Sequence, residues 1–283
     1  MTEHSAIPEG PPAELIFRRR VNLVASLREI WGARELVWTL AERDWRARYK
    51  QAVLGSAWAL ITPIMLMVVF TVFFTRVAKV DTGGVPYELF AYLGLLSWTF
   101  FSTSFSQGGL SLDSNKSLLN KVYCPREVFP IASVLVAAFD TTIALTALGA
   151  LFLIAGFAPK ATSVWVPVLL IVQVGFALAM SMIVSVVVVY LRDIRHVIPI
   201  LLQLGLFATP VAYSLESIPR SVQWLYSLVN PLAPVIDGYR RTVLWGQPPE
   251  WNLVGLAALS TSVLLVAGYA LFKKLEPGIA DVA

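Results

Sequence analysis

The sequence predicts an all-α integral membrane protein: six transmembrane helices, an amphipathic interface helix before them, and short half-membrane helices between spans five and six. Two observations predict this class. Hydrophobic residues make up 57% of the chain and charged residues 14%, whereas soluble proteins average about 45–50% and about 25%. Mean hydropathy is +0.70, and apolar runs of the ~20 residues that cross a hydrocarbon core recur along the chain.

The predicted spans are the apolar runs with few charges. They extend over Val53 to Val77, Glu88 to Leu112, Val128 to Phe157, Ser163 to Leu191, Val197 to Tyr213 and Trp251 to Phe272. Pro63 is expected to kink the first span, because a proline inside a helix removes a backbone hydrogen bond and clashes with the preceding turn. The fifth span is short and contains Pro199 and Pro210.

The spans divide the chain into three regions. Residues 1–20 are predicted to form a flexible cytoplasmic tail, since they contain three prolines and lack the apolar run of a cleaved signal peptide. Residues 21–51 form the predicted interface helix. Residues 52–283 form the predicted transmembrane domain.

Basic residues predict the orientation of the chain. With the N-terminus inside, the cytoplasmic segments hold sixteen of the 22 Lys and Arg, and positive residues are retained on the cytoplasmic side. Both termini are therefore predicted to be cytoplasmic. This placement also accounts for the isoelectric point near 9.2. Because no nucleic-acid motif accompanies the charge, no nucleic-acid partner is predicted.

Three tryptophans recur every seven residues before the first span. On a helix, Trp31, Trp38 and Trp45 return to within about 20° of one face per step. Charged residues such as Arg43 and Arg46 point elsewhere, as in a helix that lies flat in the headgroup layer. The alternative is a soluble amphipathic helix packed on a partner protein.

The connection between the second and third spans, about residues 114–127, is longer than a plain loop requires. Leu119, Val122 and Tyr123 keep helical spacing, and Pro125 is expected to end the helix. A short helix with an apolar patch on the cytoplasmic side is suited to another protein's groove. The alternative is a capped loop that folds back on its own helices.

The external segment, about residues 214–250, is too long and too apolar for a simple loop. Pro219, Pro231 and Pro234 divide it into pieces too short to span a membrane, which predicts re-entrant or half-membrane helices. Its aromatic residues have ordinary interfacial anchoring as an alternative role. These residues are Trp224, Tyr226, Tyr239 and Trp245.

Residues that would carry enzyme chemistry are sparse. Gly108 to Ser117 ends in Lys-Ser like a phosphate-binding loop, but Asn115 replaces the glycine before the lysine, so no P-loop is predicted. With two histidines and one cysteine in the chain, neither a metal centre nor a nucleophile elbow is predicted. Cys124 is interpreted as a small packed residue.

Asp140 is an acid well inside the third predicted span. Intramembrane carboxylates are costly and indicate function by default. Two roles are open: a polar pathway, or a helix-pairing contact made through Thr141 or Thr142. A proton-coupled carrier would normally use more than this one charge.

Five stretches of the sequence form a set that occurs in one order. They are RDWRARYKQAVLGSAWALITPI (Arg43 to Ile64), NKVYCPREVFPI (Asn120 to Ile131), YLRDIRHVIPI (Tyr190 to Ile200), TPVAY (Thr209 to Tyr213) and NPLAPVIDGYRRTVLWG (Asn230 to Gly246). Together they resemble the membrane subunits of ABC-type polysaccharide exporters, which include the permeases for O-antigen, teichoic acid, capsule and mycobacterial galactan.

The resemblance implies a connection to ATP through other chains. In this family the segment between spans two and three is a coupling helix that docks on a separate cytoplasmic ATPase. The residues implicated are Asn120, Lys121, Val122, Tyr123, Cys124, Pro125 and Arg126, with Arg192, Asp193 and Arg195 of the LRDIRH turn as a second contact. The implied complex has two permease and two ATPase chains. ATP and Mg are expected on the ATPase, and no cofactor is expected on this chain.

The implied substrate is a polyprenyl-pyrophosphate-linked polysaccharide that crosses the bacterial inner membrane between two permease chains. Arg46, Arg48 and Lys50 are the cations expected to meet its pyrophosphate, with ordinary contact to lipid headgroups as the alternative. Sugar hydroxyls cannot be left unpaired in hydrocarbon, so the polymer needs a protein-lined path. The expected lining residues are Trp98, Phe100, Phe101, Phe105 and Tyr213, unless these rings reflect only the Phe content common in membrane helices.

Three other classes compete with this interpretation. A drug or small-lipid ABC exporter shares the architecture but would lack the Trp-rich helix and the NPLAPVIDGYR pattern. A membrane-embedded transferase would need catalytic residues gathered at one membrane face, and no such cluster is evident. A secondary carrier would show internal repeats, and none is convincing here.

Overall fold

Helices make up the regular secondary structure of residues 23–76, 82–119 and 124–282, the part of the protein that the computed structural model describes. The α-helices are α1 (Leu23–Gly32), α2 (Arg34–Tyr49), α3 (Trp58–Arg76), α4 (Tyr87–Ser114), α5 (Lys116–Leu119), α6 (Val128–Ile154), α7 (Val166–Tyr190), α8 (Ile194–Ala208), α9 (Arg220–Val229), α10 (Leu232–Arg240) and α11 (Trp251–Val282). The predicted all-α class is therefore confirmed.

Within the described residues, 4 helical stretches are long and apolar enough to cross a membrane. They are Gly55–Arg76, Val128–Ile154, Ala161–Tyr190 and Trp251–Glu276. These stretches correspond to the first, third, fourth and sixth predicted spans. Pro63 lies within the first of them, inside α3.

The second and fifth predicted spans form helices that do not meet both criteria. α4 has 28 residues, but serine, threonine, glutamine and glycine interrupt its apolar run. α8 has only 15 residues, a length of about 22 Å, whereas a hydrocarbon core is about 30 Å thick. It ends at Ala208 because Thr209 precedes Pro210 and is extended, with ψ of 141°, as residues before proline usually are.

α4 lies at the centre of the chain and packs along α6 and α7. Small residues allow the close approach to α7, since a Cβ at Gly108 would lie 2.5 Å from the Cβ of Ser181. The Ser181 hydroxyl also donates to the Ser104 carbonyl at 2.8 Å. Close packing and internal hydrogen bonds thus accommodate a helix that is more polar than its neighbours.

The predicted interface helix, residues 21–51, is divided between α1 and α2, and α2 packs on α6. Trp31 is 73% exposed and Trp38 is 55% exposed. Trp45 is only partly exposed, and its ring lies edge-on to Phe139 of α6 with centroids 6.4 Å apart. The three indoles therefore do not share one environment, because the Trp45 indole bonds to a carboxylate on α6.

The external segment, residues 214–250, contains the short helices α9 and α10. Pro219 and Pro231 immediately precede them. Pro234 lies in the first turn of α10 and does not break it, because a backbone N–H there has no partner within the helix. Every residue of α10 is buried, so this helix belongs to the interior of the protein.

Most aromatic residues of the external segment point inward. Three of the four named above donate hydrogen bonds within the chain: Tyr226 to the Ala208 carbonyl, Tyr239 to Gln173 Oε1 at 2.8 Å, and Trp245 to the Thr82 carbonyl at 3.1 Å. Trp224 is 52% exposed. Of these four residues, Trp224 has the position of a surface anchor.

α3 and α8 are among the helices that expose several apolar side chains. The exposed side chains include Met65, Val69 and Val72 of α3 and Ile200, Leu204 and Phe207 of α8. Apolar faces of this extent are suited to lipid or to another protein chain.

Candidate functional site

Asp140, in the middle of α6, binds three side chains from α2. Arg48 forms an ion pair with Asp140 Oδ2. Tyr49 Oη and Trp45 Nε1 donate to Asp140 Oδ1 at 2.9 and 3.1 Å. The C-terminal end of α2 is thereby attached to a carboxylate inside the apolar helix α6.

The helix pairing expected of Asp140 is present in this contact, but not through the threonines that the sequence suggested. Thr141 and Thr142 donate to the carbonyls of Ala137 and Ala138, each at 2.8 Å. Their hydroxyls are therefore satisfied within α6. The polar-pathway role of Asp140 stays a prediction.

Gln107 of α4 completes the cluster around Arg48. One Nη of Arg48 binds Asp140, and the other donates to Gln107 Oε1. A single guanidinium thus joins α2, α4 and α6. Gln107 was not among the predicted site residues, although an amide inside a predicted span is a signal for a buried polar contact.

The Tyr49 hydroxyl stays protonated and can therefore donate a hydrogen bond to Asp140. Burial, followed by the hydrogen bond to Asp140, raises the pKa of Tyr49 to about 12. The phenol therefore keeps its proton at neutral pH.

A cavity of about 320 Å³ lies beside the ion pair, between α2, α3, α4 and α6. Its polar lining consists of Arg48, Tyr49, Thr62, Thr99, Thr103, Asp140 and Thr141. Trp58, at the start of α3, also lines it and is 47% exposed. The cavity therefore offers one cation and several hydroxyls close to the exposed face of a spanning helix.

Of the three cations predicted to meet a pyrophosphate, Arg48 is the one that lines this cavity. Arg46 pairs with Glu42 at 2.5 Å, and its side chain is 72% exposed. Lys50 is also exposed. The alternative of ordinary headgroup contact therefore suits Arg46 and Lys50 better than Arg48.

The central part of the predicted coupling helix, Asn120, Lys121, Val122 and Tyr123, lies outside the described residues. Before it, α5 makes one helical turn. After it, Cys124 and Pro125 lead into α6. Burial raises the pKa of the Cys124 thiol, so this side chain stays protonated, as an inert packed cysteine does.

The start of the predicted coupling segment and Asp113, just before it, contact two other elements of the chain. Arg43 of α2 donates to Asn115 Oδ1 at 2.7 Å. Arg195 of the LRDIRH turn forms an ion pair with Asp113 at 3.3 Å. The two regions expected to meet an ATPase thus touch each other at Asp113. Arg192 and Asp193 are exposed beside them.

The C-terminal end of the coupling segment is attached to α11. The Arg126 guanidinium donates to the Glu276 carbonyl. The Glu127 side chain, 1% exposed, forms an ion pair with Lys273 and accepts from Tyr269 Oη at 3.2 Å. Neither Glu127 nor Lys273 was predicted as a site residue, since only the fold brings together two charges separated by so much sequence.

The four rings predicted on α4 lie in the core of the chain. The side chains of Trp98, Phe100, Phe101 and Phe105 are 7%, 3%, 8% and 4% exposed. Phe101 stacks on Phe176 of α7 with centroids 5.0 Å apart. Tyr213 is partly exposed and donates to the Phe207 carbonyl at 3.2 Å. Within one chain the α4 rings fill the core, and their lining role stays a prediction.

Two adjacent arginines in the external segment are used within the protein. Arg240 is fully buried and donates to backbone carbonyls of α4 and of the chain after α8. Arg241 forms ion pairs with Asp237 at 2.8 Å and with Glu250 at 2.7 Å. The sequence placed both arginines in the NPLAPVIDGYRRTVLWG stretch but predicted no partner for them, because burial of an arginine depends on acceptors that other segments supply.

No group of three or more His, Cys, Asp or Glu side chains among residues 23–76, 82–119 and 124–282 is arranged to hold a metal ion. The polar clusters described above are ion pairs and hydrogen-bond networks. Their arrangement can bind a charged group or hold helices together.

The sequence matches known membrane transport proteins over most of its length. The family described as ABC-2 type transporter matches residues 35–244. The O-antigen export system permease protein RfbA of Myxococcus xanthus is 31% identical over 261 residues, covering 92% of this chain and 99% of its own length.

Two further relatives have similar coverage. An O-antigen export system permease protein RfbA of Klebsiella pneumoniae is 25% identical, over 88% of this chain and 95% of its own. The polysialic acid transport protein KpsM of Escherichia coli is 26% identical, over 83% of this chain and 91% of its own. The chain therefore belongs to the ABC-2 type transporter family of membrane proteins, as the five sequence stretches predicted.

Proposed function

We propose that this chain is the membrane-spanning subunit of an ATP-driven exporter that moves a polyprenyl-pyrophosphate-linked polysaccharide out across the bacterial inner membrane. The cavity beside Arg48 carries the proposal, because its lining combines a cation with hydroxyls, the groups that bind the anionic head of a lipid. The names of the relatives support a polysaccharide as cargo. Their near full-length similarity supports the same subunit role.

The path for the polymer is proposed to lie between two copies of the chain. A polysaccharide needs a continuous polar or aromatic lining, since each unpaired hydroxyl in hydrocarbon would cost several kcal/mol. The centre of a single chain is filled by α4 and its rings. The exposed faces of α3 and α8 are then the surfaces for a second copy, and Tyr213 is a lining residue near the end of α8.

ATP hydrolysis is assigned to a separate cytoplasmic ATPase, present in two copies, which holds ATP and Mg. Residues 114–127 and the LRDIRH turn are proposed to dock on it. The contacts in and next to this segment support the assignment: Asn115 bonds to α2, Arg126 bonds to α11, and Asp113, just before the segment, pairs with Arg195 in the first turn of α8. A displacement of the segment by the ATPase would therefore be transmitted to α2, α8 and α11 together.

The proposed topology is multi-pass with both termini in the cytoplasm. This topology puts α2 and the coupling segment on the same side of the membrane. The hydrogen bond between Arg43 of α2 and Asn115 of the coupling segment is consistent with this. Residues 214–250 then lie on the outer side. The chain has six spans if α4 and α8 also cross the membrane. Because α8 is short, other parts of the protein would have to surround the chain beyond its end.

The proposal is tested by depleting the protein in its native host and profiling polyprenyl-linked glycans by isotope labelling and mass spectrometry. Accumulation of a long lipid-linked polymer on the cytoplasmic side is expected, and its sugars would identify the cargo. An unchanged pool with normal surface glycan would refute polysaccharide export. A drug or small-lipid exporter of the same architecture would then be the better assignment.

A further inference from the structure

We propose that the cavity beside α2 is the binding site for the diphosphate of the substrate, and that Asp140 is an internal counter-anion which the diphosphate replaces at Arg48. This inference rests on the proposed function and adds a mechanism of recognition and release. It gives Asp140 a role in substrate binding in addition to its contact with α2. Gln107 and two threonines become part of the same site.

The ion pair is positioned for exchange with an incoming anion. The Arg48 side chain is 24% exposed and that of Asp140 is 13% exposed, and both line the cavity. A guanidinium is a planar fork that matches phosphate oxygens as well as carboxylate oxygens. A diphosphate in the cavity can therefore take the place of Asp140 without leaving Arg48 unpaired in a site of low polarity.

Hydroxyls in the cavity add further donors for phosphate oxygens. Thr99 and Thr103 of α4 line the cavity, and their hydroxyls donate no hydrogen bond to another described residue. Thr62 of α3, in contrast, donates to the Trp58 carbonyl at 3.0 Å. Gln107 accepts from Arg48 on its other side and so keeps the guanidinium pointed toward the cavity.

Asp140 remains satisfied when Arg48 changes partner. Tyr49 and Trp45 donate to its Oδ1 atom at 2.9 and 3.1 Å, so the carboxylate keeps two hydrogen bonds. Its negative charge then stands next to the diphosphate and repels it. A transport site must bind strongly enough to admit its cargo and weakly enough to let it go. The repulsion from Asp140 would weaken the binding of the diphosphate and so favour its release.

The location lets the lipid tail stay in the bilayer. Trp58 lines the cavity and is half exposed, and the outer face of α3 beyond it is apolar and exposed. A prenyl chain can lie along this face while its diphosphate reaches Arg48. The ligand chemistry, a phosphate ester on a lipid, is shared with ordinary phospholipids, so the test has to separate the two sources.

The test measures equilibrium binding of radiolabelled undecaprenyl diphosphate to the full-length protein in phosphatidylcholine nanodiscs. Arg48→Gln should weaken binding about tenfold or more, since it removes a charge-assisted pair. Asp140→Asn should tighten binding about fivefold, the order expected when one like charge is removed from a partly buried site. Asparagine still accepts from Tyr49 and Trp45, so α2 stays attached. Arg34→Gln, an exposed change on α2, is the matched control and should bind like wild type.

Three results would overturn the inference. If Arg48→Gln bound the ligand with wild-type affinity, the diphosphate would not bind in this cavity. Unchanged or weaker binding in a folded Asp140→Asn protein would show that Asp140 is only structural. If phosphatidylglycerol added to the nanodiscs displaced the label as well as unlabelled undecaprenyl diphosphate does, the cavity would be a general site for lipid headgroups. Tighter binding together with slower glycan export in Asp140→Asn cells would support exchange.

Failure of this inference is distinguishable from failure of the proposed function. If depletion of the protein accumulates lipid-linked polymer but Asp140→Asn does not tighten binding, the export function stands and the exchange does not. If depletion leaves the glycan pool unchanged, polysaccharide export fails whatever the binding result.

Discussion

The guanidinium carbon of Arg240 lies 3.5 Å from the centroid of the Phe90 ring, and Arg240 Nε donates to the Phe90 carbonyl at 3.1 Å. Its Nη atoms donate to carbonyls of the irregular chain that follows α8, those of Pro210, Val211 and Tyr213. The arginine thus satisfies backbone acceptors that the proline break leaves without helical partners. It joins α10, α4 and the end of α8.

Replacing Arg240 by methionine should strongly destabilise the protein. Buried carbonyls would lose their donors at about 1–3 kcal/mol each, so we expect low folded yield and a large drop in thermal midpoint. Fluorescence-detected size-exclusion chromatography after heating in detergent measures both. Arg220→Met, at an exposed position in α9, is the control. Equal midpoints for the two variants would contradict a structural role for Arg240.

Gly94→Ala should destabilise through the same junction. An added Cβ would lie 2.5 Å from the Val211 carbonyl oxygen and 2.6 Å from Arg240 Nη2, and such overpacking costs about 1–3 kcal/mol. Gly149→Ala on α6 is the matched control, because nothing lies within 4 Å of its added Cβ. We expect a lower melting midpoint for the first variant and an equal or higher one for the second. A tolerated Gly94→Ala would mean that α4 and the Val211 backbone are not in close contact.

The Glu127 and Lys273 pair should show strong non-additivity. Lys273→Met leaves a carboxylate that is 1% exposed without its cation, which costs about 3–5 kcal/mol. Combining it with Glu127→Gln should recover part of that loss. A double-mutant cycle on unfolding free energy tests this, and a coupling energy near zero would show that the two charges do not depend on each other.

Arg126→Glu should uncouple the protein from its ATPase while the chain stays inserted. A glutamate cannot donate to the Glu276 carbonyl and would add a negative charge near Glu127, so the end of α11 should loosen. We expect less ATPase to co-purify with the tagged chain and less glycan export. Lys274→Glu, an exposed charge reversal on α11, serves as control. Wild-type export from a variant that no longer binds the ATPase would refute the coupling assignment.

The sequence predicted the helical class and four spans correctly because apolar run length is a local property. The second and fifth predicted spans form helices that are not both long and apolar enough to be recognised as spans. The polar residues of α4 are held in the core by hydrogen bonds such as the one between Ser181 and Ser104, which no local pattern shows. α8 ends at Ala208 because Pro210 favours an extended conformation at Thr209, so the predicted span is cut short at a proline that the sequence already shows.

The candidate site was predictable in its parts but not as a whole. Arg48 and Asp140 could each be singled out, one from the family resemblance and one as a costly intramembrane charge. Their ion pair joins positions 92 residues apart, so its existence depends on how α2 packs against α6. Gln107 could not be assigned without that geometry.

Hydrophobicity and motif order are properties of the linear chain, so they are enough to identify a helical membrane protein of a transporter family. Which charges meet depends on how the helices pack. In an apolar environment a buried charge persists only with a partner, and such partners come from distant segments: Asp140 for Arg48, Lys273 for Glu127, and a row of carbonyls for Arg240. The packing of helices, and not the local sequence, therefore selected the residues that can bind, hold or release a charged group.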